Sequence, residues 1–388
     1  MDTLQTALRE NRAYLCLSCG KCTAVCPVSR QDGDFSPRRL VERATLDRDQ
    51  SWLSDADVWK CLTCLRCSEL CPGDVHFSEF VRDARSVAVE LGNGGVCTHG
   101  DVMQTWMRVM ADPDLEQNRL DWVTEDLQTS QDGDTLYFVG CLPHYQVLFA
   151  DQGFEGVEIA RNTVRLLNRA GIAPRVLSAE RCCGHDLLWT GDKDGFRRLA
   201  ELNARLFADA GITRIVTACA ECYRTLSVDY PTFAGVEVEV RHVSQVLAEA
   251  ARERRLAFDR TEVPVTFQDP CRLGRHMGEY DAPRELLVAA AELRDMEHAR
   301  QQAVCCGTSA WTQCGHTAKT IQVERLKEAR ATGAEALVTA CPKCQIHFNC
   351  ALLDADVDDT ARIAVRDLTT VLWESLNRQD NGIAEGEE

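Results

Sequence analysis

Two runs of cysteine in this chain share one spacing. Cys16, Cys19, Cys22 and Cys26 lead into Pro27, and Cys61, Cys64, Cys67 and Cys71 lead into Pro72. A C-x-x-C-x-x-C-x-x-x-C-P run wraps three thiolates around one cubane 4Fe–4S cluster and sends its fourth to the cluster of a second run. The spacing therefore assigns Cys16, Cys19, Cys22 and Cys71 to one cubane, and Cys61, Cys64, Cys67 and Cys26 to the other. A pair of zinc sites, normally laid out C-x-x-C…C-x-x-C, is the competing reading. The twice-repeated, proline-ended spacing disfavours it.

A second constellation also occurs twice. Cys141, Cys182, Cys183, Cys219 and Cys222 form the first copy, and Cys271, Cys305, Cys306, Cys341 and Cys344 form the second. Neighbouring cysteines diverge and do not readily fill two corners of one cube, and five thiolates exceed what a cube or a zinc ion needs. The surplus points to a cluster of more open geometry or to a bridging thiolate. Gly184 and Gly307 follow the paired cysteines and let the backbone turn closely against the metal.

Other residues near these motifs could take part. His185, His276, His316 and His347 lie close to motif cysteines or to Cys314. Splitting a disulfide into two thiols consumes two protons, and histidine suits that role near neutral pH. His185 and His276 are the first candidates, with a cluster hydrogen bond or a core contact as the alternative. Arg272 and Arg275 could offset cluster charge or grip an anion, although a surface or structural ion pair is the expectation. Cys97, Cys314 and Cys350 fall outside every motif and read as buried free thiols. No glycine-rich phosphate loop or flavin fingerprint stands out. The chain is expected to bind no flavin and to receive electrons from a partner.

The elements that carry these residues follow from the patterning. Residues 1–90 hold the two short runs in sequence with little strand character, and read as an α-helical two-cluster ferredoxin module. Residues 91–134 form a connector between the turn-forming Gly92–Gly95 and Asp132-Gly133-Asp134, with a short helix over 101–110 that packs on its own chain. From residue 135 the pattern repeats at an offset of roughly 120–130 residues. In the first copy the strands are 136–139, 175–177 and 214–217, with helices ended by Gly171 and Gly211. In the second they are 265–267 and 336–339, with helices beginning at Pro283 and ending at Gly333. The fold class is α+β overall, the ferredoxin module preceding two pseudo-symmetric α/β domains with parallel sheets over 135–255 and 256–377. The cysteines follow strand ends, where open α/β sheets bind ligands. Residues 378–388 read as a disordered acidic tail.

Composition sets the boundaries. The chain has 388 residues, 21 cysteines and a formal net charge of −17. That charge argues against a nucleic-acid partner. So many cysteines in a large chain with no visible secretion signal fit metal ligation in a reducing cytoplasm better than a disulfide scaffold. No apolar run is long enough to span a bilayer, so membrane contact at its inner face is expected only through partners.

The N-terminal segment resembles bacterial two-cluster ferredoxin modules, and Ser36-Pro37-Arg38-Arg39-Leu40 is similar to the corresponding stretch of heterodisulfide reductase C subunits. The duplicated motif resembles the cysteine-rich domains of the B subunit, and the module order resembles the fused D-type subunit. The resemblance implies a noncubane 4Fe–4S cluster on each five-cysteine set, with a disulfide split between the two. It also implies a flavin-binding or other redox partner subunit, ferredoxin among them, and a small disulfide or other electron acceptor. Similar modules occur in iron–sulfur subunits of anaerobic glycerol-3-phosphate and glycolate dehydrogenases. A non-catalytic subunit linking a flavin dehydrogenase to ferredoxin, quinone or cytochrome is therefore the second reading.

Overall fold

The computed structural model describes residues 3–46, 50–95, 97–354 and 356–376, so the tail expected over 378–388 lies outside the described residues. The first ninety residues contain helices and turns but no described strand. Short helices Lys21–Val25 and Pro27–Gln31 alternate with cysteine loops, and the longer Phe77–Glu90 closes the module. Phe77, Phe80, Val81, Ala84 and Ala88 of that last helix are buried, a stripe at helical spacing. Helix Val102–Met110 buries Met103, Met107 and Met110 and packs on its own chain: Gln104 donates to the Ala310 carbonyl at 2.9 Å, and Arg108 pairs with Asp192 at 2.8 Å.

Seven strands form two all-parallel sheets. β1 (Thr135–Tyr137), β2 (Arg214–Thr217) and β3 (Glu239–His242) stand in the order β1-β2-β3, with Leu136 opposite Ile215 and Ile215 opposite Val240. β4 (Pro264–Gln268), β5 (Glu292–Leu293), β6 (Ala336–Thr339) and β7 (Ala364–Asp367) stand in the order β5-β4-β6-β7, with Phe267 opposite Val338. The central strands β2 and β6 are buried runs of Ile, Leu and Val, as sheets covered on both faces require.

The strand expected over 175–177 is reduced to isolated bridges from Arg175 to Ser130 and Leu136. Pro174 supplies no N–H just before it, so pairing is limited to Arg175, which donates to Thr135 and accepts from Tyr137, both at 2.8 Å. The corresponding segment of the second copy keeps a two-residue strand, β5. The outer strands β3 and β7, with the helices Val243–Arg252 and Leu368–Leu376 that follow them, did not stand out in the sequence. Their residues alternate charge with apolar side chains and are only partly covered.

Candidate functional site

Each cysteine of the duplicated motif sits just beyond the carboxyl end of a strand or of its bridge equivalent. Cys141 follows β1, Cys219 and Cys222 follow β2, and the Cys182-Cys183 loop follows the Arg175 bridge. Buried Glu180 fixes the first loop: its carboxylate accepts from the N–H of Gly140 at 2.9 Å and of Val139 at 3.2 Å. Arg119 donates to the carbonyls of Glu180 and Gly140. Gly184 has φ +81° and Gly307 φ +89°, and a Cβ on either would meet neighbours at 2.7–2.8 Å. The turn after each cysteine pair therefore demands glycine.

The first set converges completely. Cys141, Cys182, Cys183, Cys219 and Cys222 all line one cavity of about 390 Å³, with Val139, Leu142 and Tyr145 on its apolar side. The Sγ atoms of Cys141 and Cys182 are 3.5 Å apart, as are those of Cys183 and Cys222. A disulfide is near 2.05 Å, so these are free thiols gathered around a space.

The second set lines a cavity of about 340 Å³ with Cys271, Cys306, Cys341 and Cys344. Cys305 hydrogen-bonds Cys271 and Cys306, and it also hydrogen-bonds Cys64 of the N-terminal module. A third cavity, of about 310 Å³, is lined by Cys26, Cys61, Cys64 and Cys67, the set that the spacing assigned across the two runs. Cys16, Cys19, Cys22 and Cys71 lie nearer the surface, with Cys19 exposed and the others half-buried. Arg12 pairs with Asp74, and the His76 N–H donates to the Asn11 carbonyl at 3.0 Å, which ties the Cys71 loop beside the segment leading into Cys16.

Four soft thiols around one enclosed space and five around another suit iron–sulfur clusters chemically. The donor sets therefore fit the groups that the cysteine spacing and the resemblance imply.

The junction between the N-terminal module and the second repeat is built from polar contacts. Arg272 donates to the Thr63 carbonyl at 3.0 Å and to its hydroxyl at 2.8 Å, and that hydroxyl lies 2.8 Å from the Ser309 hydroxyl. Arg275 donates to the Cys64 carbonyl at 2.5 Å and to the Ala303 carbonyl at 2.7 Å. Both arginines are buried. They make neither of the ion pairs expected of them, because carbonyl oxygens take their hydrogens and Arg272 also lies 3.9 Å over the Trp189 ring.

His185 lines the first cavity, with Nδ1 2.8 Å from the Thr225 hydroxyl and Nε2 3.4 Å from Glu221. Burial, with the Arg272 charge next, holds its imidazole well below the ordinary value. His276 lies instead at the module junction, its Nε2 2.5 Å from Arg272 and 2.9 Å from the Thr63 carbonyl. His347 lines the second cavity, and His316 is exposed at the start of helix His316–Ala331. Cys97, Cys314 and Cys350 are free but none is fully buried; Lys319 reaches Cys350 Sγ at 3.2 Å.

Three residues between the two cavities escaped the sequence reading. Lys343 pairs with Asp186 and, at 2.8 Å, with Glu221. Lys343 and Glu221 line both cavities. Burial pushes the Glu221 carboxyl up to about 8 against the pull of Lys343. A signal was available, because Glu221 and Lys343 occupy the same place inside the two C-x-x-C turns with opposite charge.

Residues 135–227 and 265–349 match the family of cysteine-rich CCG domains, and residues 12–75 match the 4Fe-4S dicluster domain. The chain is 31% identical over 272 residues to the D-type subunit of the dihydromethanophenazine:CoB–CoM heterodisulfide reductase of Methanosarcina mazei, covering 67% of this chain and 63% of that one. It thus spans less than two thirds of the length of that relative. It is 31% identical over 225 residues to the EtfAB:quinone oxidoreductase of Syntrophomonas wolfei, covering 55% of this chain and 31% of that one. Similarity to the B-type subunit of the fumarate reductase (CoM/CoB) of Methanothermobacter marburgensis is 26% over 377 residues, covering 92% of this chain and 72% of that one. No helix among the described residues is long and apolar enough to cross a membrane. A dicluster module followed by two cysteine-rich domains is the D-type order, and the chain belongs to that family of heterodisulfide reductase-type iron–sulfur subunits.

Proposed function

We propose that this chain is the iron–sulfur subunit of a heterodisulfide reductase-like oxidoreductase. It takes electrons from a redox partner at its N-terminal module and delivers them to a disulfide or related acceptor between its two cysteine-rich domains. The observation that carries this reading is the hydrogen bond between Cys64 and Cys305, which joins the N-terminal module to the second five-cysteine set through ligand side chains.

In this reading Cys16, Cys19, Cys22 and Cys71 hold one cubane cluster, and Cys61, Cys64, Cys67 and Cys26 the other. Cys141, Cys182, Cys183, Cys219 and Cys222 hold one noncubane cluster, and Cys271, Cys305, Cys306, Cys341 and Cys344 the second. Bound clusters supply one-electron carriers whose potentials the surrounding protein sets. The chain's own residues do the rest. Arg272, Arg275, Thr63 and Ser309 lock the N-terminal module onto the second repeat, so the two sites keep a fixed separation. The apolar wall of Val139, Leu142 and Tyr145 keeps water from the first set. His185 stands on the same wall and is the better placed of the two histidines to hold a proton for the acceptor, whereas His276 is engaged in docking.

The similarity to an EtfAB:quinone oxidoreductase favours one second reading, a relay that links a flavin dehydrogenase to ferredoxin, quinone or cytochrome. Anaerobic protein, reduced and then mixed with candidate disulfides or quinones, separates the two. A paramagnetic signal that depends on disulfide supports the reductase. Rapid oxidation by quinone with no response to any disulfide overturns it in favour of the relay.

A further inference from the structure

The two five-cysteine sites come from one duplicated design, yet they differ in the charges around them. Three places after the second cysteine of each pair stand Asp186 in the first repeat and Ser309 in the second. Two places after the first cysteine of each C-x-x-C stand Glu221 and Lys343. Ser309 is used for docking, its hydroxyl 2.8 Å from that of Thr63. Asp186 and Glu221 are used to hold Lys343, which crosses from the second repeat to reach them.

The walls of the two cavities record the consequence. The second cavity is lined by two cations, Arg272 and Lys343. The first is lined by the carboxylates Asp186 and Glu221, and Lys343 is the sole lysine or arginine among its lining residues. Lys343 is 4% exposed and Asp186 3%, so water screens this group little. The Cys219 thiol is held below its ordinary value, first by its hydrogen bond with Cys222 and, more weakly, by the Lys343 charge. Adding an electron to either site adds negative charge, and next to two carboxylates that addition is opposed unless a cation is fixed nearby.

We propose that Lys343 is a positioning residue for the first-repeat site: borrowed from the second repeat, it supplies the cation on that site's wall and keeps the site reducible. The inference rests on the proposed function, since it requires clusters at both five-cysteine sites. Its effect is one-sided, because Arg272 still serves the second site when Lys343 is neutralised.

The test is a spectroscopic redox titration of the anaerobically purified, cluster-loaded full chain, with no acceptor added. Lys343→Met is expected to lower the midpoint of one of the two five-cysteine signals, so that at a fixed potential its reduced fraction falls about tenfold or more, while the other signal and the cubane signals hold. Lys343→Arg should keep the wild-type midpoint. Because Lys343→Met strands two buried carboxylates and can impair folding, a second variant combines Lys343→Met with Asp186→Asn and Glu221→Gln. With the acids neutralised as well, the lowered midpoint should recover towards wild type. A residue that merely holds the fold together would not give that reversal. If neither signal moves, if both move equally, or if the combined variant does not recover, the inference is overturned. Loaded protein that shows no five-cysteine signals at all, even as wild type, instead overturns the functional reading beneath it.

Discussion

Glu221 and Lys343 occupy the same position in the two repeats and meet 2.8 Å apart between the two cavities. Duplication alone would have placed like side chains there. An opposite-charge pair turns a repeated scaffold into two unequal sites, and it ties the repeats together at the place where an acceptor spanning both would sit. Around this pair the whole chain is arranged in sequence: N-terminal module, second repeat, first repeat.

The crossed ligand assignment has a direct test. Cys26 belongs in sequence to the first run, yet it lines a cavity with Cys61, Cys64 and Cys67. Cys26→Ser is expected to remove the same cubane signal as Cys61→Ser, and Cys71→Ser the same signal as Cys16→Ser. Iron analysis with electron paramagnetic resonance reads the outcome. Cys26→Ser pairing with Cys16→Ser would reverse the assignment.

Arg85 staples the N-terminal module to the first repeat. It is fully buried and donates to the carbonyls of Val58 at 3.0 Å, Trp59 at 3.2 Å, Cys61 at 2.8 Å and Trp189 at 2.9 Å. Arg85→Met fills the volume but leaves those carbonyls unpaired, at a cost of about 3 kcal/mol. Denaturant unfolding should show that loss, and limited proteolysis should cut faster between residues 91 and 134. An unchanged transition midpoint would contradict the stapling role.

At Gly184 the backbone is left-handed and a methyl group would lie 2.7 Å from Phe196. Gly184→Ala should destabilise by about 2 kcal/mol, from the conformation and from overpacking together. Gly211 is also left-handed, at φ +65°, but nothing stands within 4 Å of its added Cβ. Gly211→Ala should therefore cost only about 1 kcal/mol. The first should also lower iron content, since Gly184 adjoins Cys183, and the second should not. Equal melting temperatures and equal iron would count against the tight turn.

His242 ends β3, where its side chain accepts from the Ser244 N–H at 3.2 Å and caps helix Val243–Arg252. Burial lowers its imidazole to about 4 from an ordinary 6.5. Between those values the unfolded chain binds a proton that the folded chain refuses. Stability is therefore whole above pH 6.5 and falls as pH drops towards 4. The expected loss from His242 alone is about 1 kcal/mol between pH 6.5 and 5.5. His242→Asn keeps a capping acceptor and should flatten that part of the profile, measured as melting temperature against pH. A profile identical to wild type would remove His242 from the account.

Much of this protein was legible from residue type and spacing. The short cysteine runs, the duplicated five-cysteine motif, the glycines after each pair and the central strands β2 and β6 all follow from local rules. These rules act over a few residues: ligand spacing, turn geometry and apolar runs. The edge strands β3 and β7 were not legible, because half-covered strands with alternating charge look like loops until a sheet gives them a partner.

The sequence by itself determined which atoms can bind metal and that the design is used twice. Tertiary structure alone decided which repeat faces the N-terminal module, through Cys64 on Cys305 and Arg272 on Thr63. It also sent Arg272 and Arg275 to carbonyl oxygens rather than to acids, and drew His276 away from the cavity into the junction. The physical reason is distance along the chain. Thr63 and Arg272 are 209 residues apart in sequence, and no local pattern encodes a contact that exists only once both folded surfaces are buried against each other.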